Sequence, residues 1–155
     1  MNSYKKSIEE RLGELCEYFR HRRKHNPNPS THRSDFNKYI LIDMGKYKGY
    51  YYFIISLGTH PCAYILLNPS DKYFQVDYSN LTEIKCHGGV TYSENYLGTN
   101  EDEIVPKSED VWIIGWDYAH IGDSFGFMKD GKVWEANMIQ SEIFQVIDNY
   151  LLGQE

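Results

Sequence analysis

Apolar positions recur at helical spacing near the start of the chain. Over residues 3–23, Tyr4, Ile8, Leu12, Leu15, Cys16 and Phe19 fall on one stripe, which predicts an amphipathic helix. Ser7 with Glu10 has the spacing of a capping box, while Asn2 or Ser3 would start the helix earlier. The helix runs into Arg20-His21-Arg22-Arg23-Lys24, cations that suit the negative end of the helix dipole and also offer a phosphate-contacting patch. Asn26-Pro27-Asn28-Pro29-Ser30-Thr31 then breaks the pattern as a loop.

From about residue 35 the pattern changes to strands. Tyr39–Ile42 is short, Gly49–Ser56 is rich in β-formers throughout, and Tyr47-Lys48-Gly49 between them suggests a hairpin. Cys62–Leu67 reads as a buried strand between Gly58-Thr59-His60-Pro61 and Asn68-Pro69-Ser70-Asp71. Residues 71–82 are irregular, and 83–93 read as a strand broken by Gly88-Gly89. Residues 94–110 form a polar, acidic loop, and Val111–Trp116 is apolar and β-branched enough for a strand buried on both faces. A last amphipathic helix over 133–152 carries Ile139, Ile143, Val146, Ile147, Tyr150 and Leu151 on one face and ends at Gly153.

The order helix, strands, helix, without βαβ alternation, implies an α+β fold with a mostly antiparallel central sheet between an N-terminal and a C-terminal amphipathic helix. A chain of 155 residues is expected to form a single domain. Its parts are the first helix over 1–24, a strand-rich body over 35–128 and the final helix over 133–152.

Candidate chemistry gathers where the Val111–Trp116 strand ends. Asp117, His120 and Asp123 follow the buried run at three-residue spacing, and His87 lies just ahead of the Gly pair. If the two segments pair, His87, Asp117, His120 and Asp123 converge on one divalent metal. Imidazole nitrogen and carboxylate oxygen are ordinary zinc ligands at roughly 2.0–2.2 Å, so zinc is the expected ion. Gly122 lets the backbone turn tightly enough to aim Asp123 inward. Three of the four also have a plainer role: His87 as a hydrogen-bonded strand histidine, Asp117 as a turn or cap former, Asp123 as a loop residue that could cap a short helix. Cys86 and His60 are reserve ligands; Cys86 adjoins His87, and neighbouring strand residues face opposite ways.

Composition narrows the partners. Cys16, Cys62 and Cys86 are odd in number and widely spaced, which excludes a disulfide framework. Neither a membrane-length apolar run nor a signal-peptide core occurs, so a soluble, cytoplasmic protein is expected. The net charge of −6 divides unevenly: residues 1–33 hold eight Lys/Arg against four Asp/Glu, the rest eight against eighteen. An acidic body disfavours direct nucleic-acid binding and suits a basic protein surface. Glu101, Asp102, Glu103, Glu109 and Asp110, in the loop joining the two candidate segments, are the partner-binding candidates and are expected near the metal.

Three runs carry a resemblance: Gly58-Thr59-His60-Pro61-Cys62-Ala63-Tyr64-Ile65, Cys86-His87-Gly88-Gly89-Val90-Thr91-Tyr92-Ser93, and Ile114-Gly115-Trp116-Asp117-Tyr118-Ala119-His120-Ile121-Gly122-Asp123. They resemble a family of small phage and prophage proteins marked by His-Gly-Gly-Leu-Thr-Tyr-Ser and Gly-Phe-Asp-x-Ala-His-x-Gly-Asp, over about residues 58–150. Val90 stands for the usual Leu, Trp116 for Phe, and Pro61 where Arg is common. The resemblance implies a phage protein acting against its host. By analogy of size, acidity and aromatic content, the chain is similar to anti-CRISPR proteins that disable type II RNA-guided nucleases. The expected function is therefore a zinc-stabilised acidic inhibitor that blocks DNA binding or cleavage. The alternatives are a metal-dependent hydrolase acting on a nucleotide or other defence-related substrate, and a morphogenesis or regulatory protein whose polar cluster is only a hydrogen-bond network.

Overall fold

A computed structural model describes residues 7–32, 39–58, 60–99, 103–125 and 130–153. Two helices sandwich a five-stranded sheet whose neighbours all pair antiparallel, an α+β architecture. The helices are α1 (Ile8–His25) and α2 (Ala136–Val146). The strands are β1 (Ile40–Tyr47), β2 (Tyr50–Ser56), β3 (Pro61–Leu66), β4 (Tyr92–Glu94), β5 (Leu97–Gly98), β6 (Glu103–Val105) and β7 (Ile113–Asp117). The sheet order is β1-β2-β3-β7-β4, and β5 and β6 form a separate small hairpin.

Strand alternation sorts the core into two layers. Tyr50, Tyr52 and Ile54 of β2, Ala63 and Ile65 of β3, and Ile114 and Trp116 of β7 pack with Ile139, Ile143 and Val146 of α2. Tyr51, Phe53, Ile55, Cys62, Tyr64 and Ile113 face the other way, onto Leu12 and Phe19 of α1. With a helix on each face, all seven residues of β2 are buried, which explains its unbroken apolar run.

Ser7 is the N-cap of α1, accepting from the Glu10 amide at 3.1 Å, so the capping box sets the helix start. Tyr4 and the earlier start fall outside the described residues. In the basic run only Arg23 turns inward. It meets the buried Asp43 of β1 and the Met44 carbonyl, tying the end of α1 to the sheet edge.

Three expected elements differ. Residues 83–91 are turns rather than strand, because Gly88 and Gly89 both take left-handed backbone (φ +71° and +80°) and the Gly89 amide closes back on the Cys86 carbonyl. Pairing survives only at Tyr92–Glu94, opposite Ile113–Gly115. The acidic loop contains the β5–β6 hairpin, pinned because Leu97 and Val105 are buried beneath the α1 layer. The last helix begins at Ala136 rather than 133, and its final turn, Ile147–Leu151, is π-helical. Its entrance is held by the Pro-Asn loop: Asn28 Oδ1 accepts from the Asn137 amide and Thr31 Oγ1 donates to the Trp134 carbonyl.

Candidate functional site

The sheet delivers the candidate residues to one end. Asp117 closes β7 opposite Cys62, and Thr91 donates its amide to Gly115, which brings the His-Gly-Gly turn alongside the strand end. Asp117 Oδ1 then accepts from the Ala119 amide, bending the chain. His120-Ile121-Gly122-Asp123 forms a tight turn, with the Asp123 amide bonded to the His120 carbonyl and Gly122 at φ +97°. The turn is clamped from outside by residues 130–134, where the Lys132 amide donates to the Gly122 carbonyl and the Ser124 amide to the Lys132 carbonyl.

His87, Asp117, His120 and Asp123 are therefore brought together, arranged as two His–Asp pairs. His87 Nε2 meets Asp123 Oδ2 at 2.6 Å, and His120 Nε2 stands 3.1 Å from Asp117 Oδ1; the two imidazole centroids are 5.4 Å apart. Asp123 accepts three hydrogen bonds in all. Its Oδ2 also accepts from the His120 amide at 3.0 Å and its Oδ1 from Trp134 Nε1 at 2.9 Å. Burial pushes the Asp123 carboxyl up, but the bonds from His87, the His120 amide and Trp134 outweigh burial and hold it below the ordinary aspartate value.

His120 is the opposite case. Its Nε2 is buried and makes no hydrogen bond, although Asp117 lies within ion-pairing range. The ring lies directly against Gly88, where a Cβ would fall 2.1 Å from Nε2. The His-Gly-Gly turn thus provides both a histidine and the slot that receives the second histidine.

Among the described residues, no group of three or more His, Cys, Asp or Glu side chains is arranged to hold a metal ion. The donor set is still one that zinc accepts, and an unpartnered buried imidazole nitrogen beside a carboxylate is a position a cation would satisfy. The residues that would hold it are His87, Asp117, His120 and Asp123. Side-chain exposures of 23% for His87, 36% for His120 and 31% for Asp117 leave the cluster open to solvent, while Asp123 is 4% exposed.

The reserve ligands separate. Burial raises the Cys86 thiol to about 12, and the side chain packs against the α2-side core, so it stays a protonated core residue. His60 ends the β2–β3 turn; burial pushes its imidazole down, Asp117 opposes this, and His32 and His120 add to it. His32 comes from the Pro-Asn loop and bonds the Ser124 carbonyl through Nε2 at 2.7 Å. No spacing in the sequence links that loop to the cluster.

Three further contributors were not candidates. Trp134 and Tyr118 pack on His87, with ring centroids 4.7 and 4.9 Å away, the tyrosine nearly parallel to the imidazole. Glu142 of α2 accepts from the His87 amide at 3.1 Å, from Trp116 Nε1 at 3.0 Å and from the Tyr118 hydroxyl. The signal for Glu142 was present: a carboxylate at position 142 sits within the Ile139, Ile143, Val146 stripe, where an apolar residue is expected.

The acidic partner-binding candidates among the described residues are not at this end. Because β4 runs antiparallel to β7, the chain after Glu94 leaves toward Ile113, away from Asp117. Glu103, Glu109 and Asp110 are exposed there, and Glu101 and Asp102 lie outside the described residues. No helix among the described residues is long and apolar enough to cross a membrane.

Fold and site together define an α+β protein with a solvent-reachable His–Asp cluster at one sheet end. No family model, curated protein or solved structure matches the chain.

Proposed function

We propose that the chain is a phage- or prophage-encoded counter-defence protein that works by binding. In this reading it is a zinc-stabilised acidic inhibitor of a type II RNA-guided nuclease, acting in the cytoplasm of the host bacterium and blocking DNA binding or cleavage. The observation that carries the zinc is the buried, unpartnered His120 Nε2 at 3.1 Å from Asp117 Oδ1, with His87 and Asp123 beside it. Metal there would staple the His-Gly-Gly turn to the end of β7, and binding energy for a structural metal is folding energy. The partner class is supported by the motif resemblance, by the net charge of −6, and by the exposed Glu103, Glu109 and Asp110, which suit a positively charged DNA channel.

Two measurements test this. Purified protein should contain zinc by elemental mass spectrometry, and zinc at a hundredfold excess over its Kd should stabilise it by about 2.7 kcal/mol. His120→Ala should abolish that gain. In a DNA-cleavage assay the protein should inhibit at least one of a panel of type II nucleases, and uninhibited cleavage by every one of them refutes the partner. A metal-free, fully folded protein that gains nothing from zinc refutes the staple.

A second reading has its own support. Because Asp123 is buried and already accepts from three N–H donors, it fits better as the partner orienting His87 than as a ligand. His87, His120 and Asp117 would then be three protein ligands with an open position, the arrangement of hydrolytic zinc. X-ray absorption separates the two readings: four protein ligands favour the staple. Three ligands plus water, with phosphoester hydrolysis abolished by Asp117→Asn, favour the enzyme.

A further inference from the structure

Glu142 belongs to neither motif run. It reaches the cluster from α2, between Ile139 and Ile143 on the buried side of the helix. One oxygen, Oε2, accepts the amide N–H of His87 at 3.1 Å. The other, Oε1, accepts from the Tyr118 hydroxyl and from Trp116 Nε1, and Tyr118 is the ring on which the His87 imidazole lies at 12°. A single carboxylate thus holds the histidine twice, by its backbone and through the aromatic plate beneath its side chain.

The sequence around His87 makes such a hold necessary. The two residues that follow are glycines in left-handed backbone, without side chains to anchor the turn. Within the turn, the backbone closes through the bond from the Gly89 amide to the Cys86 carbonyl. Bonds to a charged acceptor are stronger than neutral ones, and Glu142 supplies that acceptor to three donors at once.

We propose that Glu142 is a positioning residue: it holds the His87 imidazole where Nε2 meets Asp123, and so sets the geometry in which the cluster meets its ligand. α2 is then part of the site as well as the cover of one sheet face. The proposal rests on the metal reading above only where metal affinity is measured.

Glu142→Gln is the informative change. An amide keeps the size and one acceptor, but turns an NH2 group toward either the His87 amide or the Tyr118 and Trp116 donors. In the wild type, the 2.6 Å bond should give a strongly downfield imidazole Nε2–H proton by NMR. In E142Q that resonance should move upfield or broaden away, and cobalt(II) affinity, read from its visible spectrum, should fall about 10–100-fold. Ile139→Val, a buried truncation on the same helix, should lower Tm while leaving both signals as in the wild type. If E142Q does not fold, Tyr118→Phe combined with Glu142→Leu removes the hydroxyl donor together with its acceptor and should show the same two losses.

An unchanged resonance in E142Q overturns the proposal. So does an equal disturbance in I139V, or a wild type without the downfield proton. A wild type that shows the proton but binds no cobalt or zinc refutes the metal reading instead, and the resonance alone then decides Glu142.

Discussion

Gly88→Ala isolates the contact that joins the two motif runs. Gly88 and Gly89 are adjacent and both left-handed, so alanine at either costs about 1–2 kcal/mol of backbone strain. They differ in their surroundings: a Cβ at Gly89 meets nothing within 4 Å, whereas one at Gly88 would lie 2.1 Å from His120 Nε2. The imidazole must leave its slot, and overpacking of this kind costs about 1–3 kcal/mol more. For a chain of this length each kcal/mol lowers Tm by roughly 2–4 °C. Thermal denaturation by circular dichroism should therefore show G89A lower by about 3–6 °C and G88A by about 7–14 °C, working from the middle of those energy ranges. In a His120→Ala background the ring is gone, and G88A should cost no more than G89A, a coupling of about 1–3 kcal/mol in the double-mutant cycle. Equal losses for the two alanines, with no coupling to His120, would refute the claim that the slot exists to seat that ring.

The remaining expectations concern the frame around the site. Arg23→Ala leaves the Asp43 carboxylate, 5% exposed, without its cation and should cost about 3 kcal/mol by urea denaturation, the low end for a buried pair because Arg23 is 27% exposed. Asp43→Asn should cost less, and an R23A protein as stable as wild type would remove this pair from the account of how α1 docks. At the β1–β2 turn, hydrogen bonds from Lys48 and Tyr47 hold Asp148 below its ordinary 3.8. A depressed folded value means that this contribution is present above 3.8 and is lost only as pH falls through the lower folded value. A carboxyl NMR titration should find that midpoint below 3.8, and Lys48→Ala should raise it.

Much of the architecture was written along the chain. Period-3.6 apolar positions, a capping box at Ser7 and Glu10, and an unbroken β-branched and aromatic run over Tyr50–Ile55 are local signals, and they specify helix, strand and burial without reference to distant residues. The ends of elements were less legible, because they depend on partners. Ala136 starts α2 where Asn28, more than a hundred residues earlier, caps Asn137. The His-Gly-Gly run is turn rather than strand because consecutive left-handed glycines cannot extend a ladder.

At the site, the sequence singled out four side chains, His87, Asp117, His120 and Asp123, that the fold brings together at one end of β7. It could not pair them, because pairing is set by side-chain directions that only the folded turn defines. Nor could it foresee that the acidic run leaves from the other end of β7, a consequence of antiparallel pairing between β4 and β7. Tertiary structure alone brought Glu142, Trp134 and His32 to the cluster, from a helix face, a helix entrance and a proline loop far apart in sequence. Local patterning encodes what each segment is; long-range packing decides which segments meet and in what orientation.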